Sequence, residues 1–402
     1  ELGKILFRRL LRFAPDGWLT AILDDTLCRK TGPHIWGAGM HHDAVASSYG
    51  RNTGHGRHVA FAFGHSWVIL ALWVPFPWSR ERGVAIPILF RLYRSKKLSP
   101  SAEYRKRTLL AVELLQVLAA WTADTGRDVM VVGDSEYSCR TVIKQLPARF
   151  QFTGPLVMNA ALFTIPEQPK ERGRGCPRKK GDRLPPPAKM LTDPAYPWVN
   201  LTVVIYGRPV EIRIKSLVCQ WYQVAGSQPV RVVITRDPTG RIDDRAYVCT
   251  DSTATVEQVL GVFSRRWSLE VTFYNTKQYL GLEHPQNGWG YLSKRRRQKR
   301  KPGPQPRANK GKLAVERTVP CVLYLYGLIH LWYFEHGDPK ADVALARRLA
   351  PWYTQKRTPS FADMLDALRR HLISILEFSK DPVPTRVRQQ FPGASDPLMA
   401  AA

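Results

Sequence analysis

Acidic residues at the ends of two predicted strands are the residues in this chain best placed to carry chemistry. Asp24 and Asp25 lie near the end of an apolar segment that begins at Trp18. Asp134 directly follows a short β-branched segment over residues 128–133. Strand ends in α/β sheets open into the crevice where ligands bind, and carboxylates there are suitable ligands for Mg²⁺ or Mn²⁺. Two such ions, about 3.5–4 Å apart, can stabilise an in-line attack on phosphorus.

A third acid, Glu270, lies in a segment whose periodicity predicts a helix over residues 255–282. At about 100° per residue, one side of this helix carries an acid, two bases and three aromatic residues: Phe263, Arg266, Trp267, Glu270, Tyr274 and Lys277. A metal-binding carboxylate flanked by cations that grip phosphates explains this mixture. The alternative is an exposed helix with ion pairs, since Arg266 and Glu270 have i,i+4 spacing.

The charge of the chain predicts a polyanionic partner. Of 402 residues, 60 are Lys or Arg and 33 are Asp or Glu, which leaves a formal net charge of +27. A field of that sign concentrates polyanions. We expect double-stranded DNA to be the partner, because each neutralised phosphate releases condensed counterions. A membrane surface is disfavoured, since no lipidation signal or basic amphipathic anchor helix is visible.

Two basic stretches are candidate DNA-contacting loops. The first resembles an AT-hook but has Cys176 where the second arginine of that motif would stand, and its basic residues are Arg174, Arg178, Lys179 and Lys180. The second follows the predicted catalytic helix and begins with Lys294, Arg295, Arg296 and Arg297. A solvated, disordered segment is the alternative for such a charge block.

The order of predicted elements indicates a mixed α/β sheet with helices. Many β-type segments occur between residues 150 and 250, and we expect a β-rich insertion there. The predicted divisions are an N-terminal segment at 1–16, a core at 17–149 and 251–290, the insertion at 150–250, a basic Pro-rich loop at 291–312, a helical region at 313–380 and a disordered tail at 381–402.

The uncharged segment from Val59 to Trp78 could be taken for a membrane span. Because Gly64-His65-Ser66 interrupts it, two buried strands joined by a turn are the better interpretation. The six cysteines are scattered without a CxxC pair, which disfavours a zinc ribbon or a disulfide framework and favours a reducing bacterial cytoplasm. The sequence starts with Glu1 rather than Met, so a preceding module is conceivable.

Together these motifs resemble those of IS4-type DDE transposases, the group that includes the Tn5 transposase. The family pattern Y-x2-R-x3-E-x6-K is similar to the predicted helix at Arg266, Glu270 and Lys277, with Phe263 in place of the tyrosine. Asp24-Asp25-Thr26 resembles the D-x-T of the first catalytic strand in that family. The segment 24–43 is also similar to the IS701-like branch.

The resemblance implies a fold, an activity and partners. The fold would be an RNase-H-like, retroviral-integrase-like α/β core interrupted by the β-rich insertion. The activity would be metal-dependent cleavage of transposon ends followed by strand transfer into target DNA, with the protein acting as a homodimer. A nuclease without strand transfer and a non-catalytic, domesticated DNA-binding protein are the alternatives.

The resemblance also implies roles for individual residues. Asp24, Asp134 and Glu270 would be the catalytic acids and the ligands of two Mg²⁺ or Mn²⁺ ions. Asp25 stays an alternative to Asp24, because strand alternation places only one of two adjacent residues in a site. The DNA contacts near the site would be made by Phe263, Arg266, Trp267 and Lys277.

Overall fold

The structure is a computed structural model that describes most of the chain. The described residues are 1–30, 35–47, 59–166, 178–283 and 309–378. Arg174, the basic group beginning at Lys294 and the tail from residue 381 lie outside them, so the predictions made for those segments remain predictions.

Among the described residues, ten strands form one mixed sheet. They are β1 Leu19–Arg29, β2 Gly39–His42, β3 Phe61–Phe76, β4 Ser79–Tyr93, β5 Val129–Gly133, β6 Phe150–Leu156, β7 Val199–Ile205, β8 Arg208–Gln220, β9 Pro229–Arg236 and β10 Arg245–Cys249. Their spatial order is β2-β3-β1-β5-β6-β10-β9-β8-β7, and β4 also pairs with β3. The predicted mixed α/β sheet is confirmed.

Helices cover both faces of this sheet. They are α1 Leu2–Leu10, α2 Arg107–Thr122, α3 Arg140–Ile143, α4 Pro187–Met190, α5 Tyr222–Ala225, α6 Val256–Ser264, α7 Trp267–Tyr279, α8 Asn309–His336, α9 Pro339–Leu349 and α10 Phe361–Phe378. In the described part of the chain, no helix is both long and apolar enough to cross a membrane.

Strand β1 lies inside the sheet with both of its faces covered. It pairs antiparallel with β3 and parallel with β5, where Leu23 stands opposite Gly133. Because successive side chains of a strand point to opposite faces, Ile22 packs in the apolar cluster that includes α6 and α7, whereas Leu23 packs in the cluster that includes α2. The same alternation sends the next two residues, Asp24 and Asp25, to opposite faces.

The segment from Val59 to Trp78 forms one long strand, and the predicted turn at Gly64-His65-Ser66 is wrong. Strand β3 runs without a break from Phe61 to Phe76. Gly64 pairs with Arg29 of β1 and with Gly39 of β2 at the point where β3 passes from one neighbour to the other. A side chain at Gly64 would put its Cβ 2.3 Å from the carbonyl oxygen of Cys28. Glycine is needed here for the close approach of two strands.

The helix predicted over residues 255–282 is two helices, so the prediction of one continuous helix is wrong. The N–H groups of Arg265 and Arg266 bond to carbonyls three residues back, at 3.1 Å each, and those of Ser268 and Leu269 do the same at 3.0 Å. Such i→i−3 bonds tighten the turn and rotate the following residues. The break lies between α6 and α7, and Glu270 is in the first turn of α7.

A half-buried arginine anchors this break to the sheet. The guanidinium of Arg265 lies 4.0 Å from the ring centroid of Trp73 in β3 and donates to the hydroxyl of Thr20 in β1 at 2.6 Å. Burial lowers the pKa of Arg265 to about 10. The side chain therefore ties the start of α7 to the two central strands.

The β-type segments predicted between residues 150 and 250 do form strands. β7, β8 and β9 lie in this part of the chain. Through β6 and β10 they continue the same hydrogen-bonded sheet that contains β1. The division into a core and an insertion domain remains a prediction.

Helix α8 packs its apolar residues against other parts of the chain. Its Tyr326, Ile329 and Tyr333 are buried in the same cluster as α1 and α2 residues. A Cβ added to Gly327 would lie 2.9 Å from a methyl carbon of Leu6 in α1. These apolar residues of α8 are thus used within the chain, and the homodimer stays a prediction.

We expect Gly64→Ala to lower the free energy of unfolding by about 1–3 kcal/mol, since overpacking of a tight interior costs that much. The clash is with the Cys28 carbonyl, which is backbone and cannot rotate away. Urea denaturation of the purified protein measures the loss.

Gly261→Ala is the matched control. Gly261 lies in α6, and its added Cβ would meet nothing within 4 Å. Alanine in a helix interior is more favourable than glycine by up to about 1 kcal/mol. Equal stability of the two variants would contradict the close-approach explanation for Gly64.

Candidate active site

Two of the three predicted acids come from neighbouring parallel strands. Asp24 lies within β1, and Asp134 directly follows β5. Leu23 pairs with Gly133, so Asp24 and Asp134 each directly follow one member of a paired position, Asp24 within β1 and Asp134 in the turn after β5. The charge of Asp134 raises the pKa of Asp24.

Asp24 is the most deeply buried of the candidate acids, with 8% of its surface exposed. Burial raises its pKa from 3.8 to about 7, and Asp134 and Asp25 add to this effect. The guanidinium of Arg266 opposes it. A carboxyl group whose pKa is shifted this far is often part of a functional site, because burial and nearby charges are arranged there to change its ionisation.

Arg266 joins the first and third predicted acids. Its Nη1 donates to Oδ2 of Asp24 at 2.7 Å, and its Nη2 donates to Oε1 of Glu270 at 2.5 Å. Burial disfavours the charge on Arg266, but the two carboxylates raise its pKa above the ordinary value. Asp24 and Glu270 therefore lie on the same side of the sheet and flank one guanidinium.

Glu270 is held in place by the buried side of α7. It lies in the first turn of that helix and is half-buried. Its neighbour Leu269 is fully buried, and Thr272 donates to the carbonyl of Ala85 in β4 at 2.7 Å. These contacts fix the roll of α7 so that Glu270 faces the strand carrying Asp24.

Asp134 sits in a tight turn after β5. Its Oδ1 accepts the backbone N–H groups of Glu136 at 2.9 Å and Tyr137 at 3.3 Å. The chain folds back so closely that a Cβ on Gly133 would lie 2.9 Å from the Cβ of Tyr137. One carboxylate oxygen of Asp134 thus stabilises the turn that presents it.

Asp25 faces the other side of the sheet. Its carboxylate accepts from Ser66 Oγ at 3.4 Å and lies 3.7 Å from Nε of Arg107, at the start of α2. Burial raises its pKa, and Arg107 opposes this. Of the two adjacent acids, Asp24 is the one on the same face as Glu270.

These acids offer only oxygen donors, which suits a hard divalent cation. Asp24 and Asp134 fit such an ion best, because a cation between them would offset both the burial and the Asp134 charge that raise the pKa of Asp24. Within the described residues, no three His, Cys, Asp or Glu side chains come close enough together to hold one metal ion. Arg266 lies between Asp24 and Glu270.

The other residues predicted on the catalytic helix have different surroundings. Lys277 donates to the carbonyl of Leu27 at 2.8 Å and lies 3.2 Å from Oε1 of Glu283. Phe263 packs on the ring of Tyr247 with a centroid distance of 4.7 Å. The aromatic residues that α7 leaves exposed are Trp267, Tyr274 and Tyr279. The six residues predicted to share one side of a single helix are therefore divided by the break that separates α6 from α7.

The described residues of the first basic stretch lie near β8 and not among the acids. Arg178 pairs with Asp182 at 2.6 Å, and both side chains are exposed. Lys180 lies 4.5 Å from the ring centroid of Phe163, which bridges to Gln220 at the end of β8. Lys179 accepts a hydrogen bond at its carbonyl from Gln220. Their DNA contact stays a prediction.

Sequence reasoning missed two charged residues beside the acids, Arg107 and Glu136, which lie 3.5 Å apart. Glu136 carries a local signal, since it follows Asp134 by two positions in a turn. Arg107 carries none, because only the packing of α2 against the sheet brings it near Asp25.

Comparison with known proteins adds one finding. The family model described as DDE superfamily endonuclease matches residues 1–214, slightly more than half of the chain. The matched part contains Asp24 and Asp134, whereas Glu270 lies beyond it. None of the curated proteins matches the chain.

The raised pKa of Asp24 predicts a pH-dependent stability difference between Asp24→Asn and the original chain in metal-free buffer. Between pH of about 4 and 7 the native state keeps a proton that the unfolded chain has released, so the original chain loses stability as pH rises. The asparagine variant should gain on it by up to about 4 kcal/mol, from about 1.4 kcal/mol per pKa unit. Urea titrations at several pH values measure the difference.

Asp43→Asn should show the opposite slope. Although burial acts against it, hydrogen bonds from Ala46 N–H and from Arg29 lower the pKa of Asp43. The original chain gains stability from this carboxylate as pH rises through the acid range, and the variant does not. Parallel slopes for the two variants would rule out the environment inferred for Asp24.

Proposed function

The chain belongs to the DDE superfamily endonuclease family, and from that premise we propose that it is a DDE transposase of the IS4 type. It would cut transposon ends in double-stranded DNA and join them to target DNA. The observation that carries the proposal is the arrangement of the acids. Asp24 and Asp134 each directly follow the paired residues Leu23 and Gly133, and Arg266 donates to both Asp24 and Glu270.

An RNase-H-like core is part of the proposal. Two of its acids would come from β1 and from the end of the parallel strand β5, and the third from α7, which packs on β1 and β4. The strands between residues 150 and 250 would be the insertion that separates the second acid from the third. The membership in an endonuclease family supports this, because such enzymes act on phosphodiester bonds.

Asp24, Asp134 and Glu270 would hold the divalent cations. A bound Mg²⁺ or Mn²⁺ supplies activation of the attacking oxygen and neutralises charge on the phosphate. Burial of Asp24 keeps bulk water away and strengthens electrostatic interactions at the site. Glu270 would complete the ligand set when Arg266 turns from it to a phosphate oxygen, which a guanidinium can bind through two N–H groups.

Exposed residues around the acids suit a DNA strand. Trp267 and Tyr274 expose 51% and 62% of their surface on α7 and could stack on bases. Lys277 lies on the same helix, and the net charge of +27 favours phosphate binding over the whole surface. The action of the enzyme as a homodimer on paired ends belongs to this proposal.

Substitution of each candidate acid should abolish cleavage of a labelled transposon end. We expect Asp24→Asn, Asp134→Asn and Glu270→Gln each to lower the rate in Mg²⁺ by at least about 10³-fold, because metal ions contribute several kcal/mol to such transition states. Chelation of the metal should have the same effect. Gel analysis of the labelled strand measures cleavage.

Asp128→Asn is the matched control. Asp128 precedes β5 at its other end and forms an exposed pair with Arg149 at 2.7 Å, so cleavage should be unchanged. Cleavage that survives Glu270→Gln would refute the assignment of the third acid. Cut ends that never join a target duplex would identify a nuclease without strand transfer, and binding without any cleavage would leave a DNA-binding protein.

A further inference from the structure

An arginine on the other face of the sheet contacts the neighbours of both paired acids. Asp25 follows Asp24 by one position, and Glu136 follows Asp134 by two. Both of these second acids lie within ion-pair distance of Arg107. The two strands that carry the candidate catalytic acids are thus linked a second time, behind the site.

Arg107 is well held for such a link. It is the first residue of α2, and its side chain is 22% exposed. Its Nε lies 3.7 Å from Oδ2 of Asp25 and donates to Ser66 Oγ at 3.2 Å, while its Nη1 lies 3.5 Å from Oε2 of Glu136. The guanidinium also lies 4.6 Å from the ring centroid of Tyr93 in β4. Charge, a hydrogen bond and ring stacking together restrict its position.

The link reaches Asp134 through a short, rigid path. Glu136 and Tyr137 donate their backbone N–H groups to the carboxylate of Asp134. Tyr137 is fully buried behind the turn, so this end of the turn cannot move freely. At the other end of the turn, the side chain of Glu136 is 41% exposed, and it pairs with Arg107. Loss of Arg107 would release that end.

The negative charges around Asp24 and Asp134 explain why a second arginine is needed near them. Four carboxylates, those of Asp24, Asp25, Asp134 and Glu136, interact with one another. Arg266 compensates them on the face of α7, and Arg107 compensates them on the face of α2. Mutual repulsion would push the turn after β5 away from β1 if one of the two cations were absent.

We propose that Arg107 is a positioning residue, which holds the turn carrying Asp134 against β1 so that Asp24 and Asp134 can bind one divalent cation together. The inference rests on the proposed function, since it concerns the same metal site. It goes beyond it by assigning a role to a residue that pairs with Asp25 and Glu136 and not with Asp24 or Asp134. Arg107 acts through Asp25 on β1 and through Glu136 in the turn after β5.

The sign of the effect on metal affinity separates this role from two simpler ones. Arg107 is a cation near a cation site, so its charge alone would weaken metal binding, and its removal would tighten it. A residue that only stabilises the fold would change the melting temperature and leave the affinity unchanged. A positioning residue, in contrast, raises the affinity despite its charge, as other partners behind metal ligands do.

The experiment measures Mn²⁺ binding to the full chain by electron paramagnetic resonance, without DNA and without turnover. We expect Arg107→Gln to weaken binding about 10-fold, the lower end of the effect known for residues behind metal ligands. Arg107→Lys keeps the charge but cannot span two carboxylates, so binding should still weaken by about 3-fold. The lysine variant also guards against the case in which the glutamine variant fails to fold.

Arg105→Gln is the matched control. Arg105 lies two positions earlier, is 48% exposed and pairs with Glu113 at 3.9 Å, so its variant should bind Mn²⁺ as the original chain does. Unchanged or tighter binding by Arg107→Gln and Arg107→Lys would overturn the inference. If the original chain binds Mn²⁺ no better than Asp24→Asn, the proposed function fails instead, and the two failures are thereby distinguished.

Discussion

The parallel pairing of β1 with β5 is the constraint on which the candidate site depends. With Leu23 opposite Gly133, the residues that follow, Asp24 and Asp134, are close enough for the charge of Asp134 to raise the pKa of Asp24. A slip of one residue would turn every side chain of β1 to the other face. Asp25 would then lie in the apolar cluster beside α7, and Ile22 would leave that cluster for the opposite face. The apolar residues of β1, buried on both faces, therefore maintain the position of the acids.

Packing of acids at this register creates an electrostatic problem that two arginines offset. Each arginine comes from a different helix and covers a different face of β1: Arg266 precedes α7, and Arg107 begins α2. Buried carboxylates without partners would destabilise the fold by several kcal/mol each. Burial raises the pKa of Asp24 to about 7, and the charges of Asp134 and Asp25 add to this effect. A divalent cation at the site would favour the ionised carboxylate.

Local patterns failed where tertiary contacts override them. Gly64 suggested a turn, because glycine commonly marks one, but it lies in β3, where the Cys28 carbonyl leaves no space for a side chain. The periodicity over residues 255–282 suggested one helix, but Arg265 binds Thr20 and bends the segment. Both predictions were wrong because a sequence pattern gives the type of a residue but not the atoms of distant residues that it contacts in the fold.

The sequence by itself determined the mixed α/β sheet, the apolar strands that carry the acids and the membership of Glu270 in a helix, because these follow from periodicity over short segments. Only the tertiary structure decided that Asp24, and not Asp25, shares a face with Glu270. It also decided that Arg266 binds Asp24, 242 positions away, and that Arg107 lies behind the site. Such contacts depend on strand register and helix packing, which no local pattern encodes.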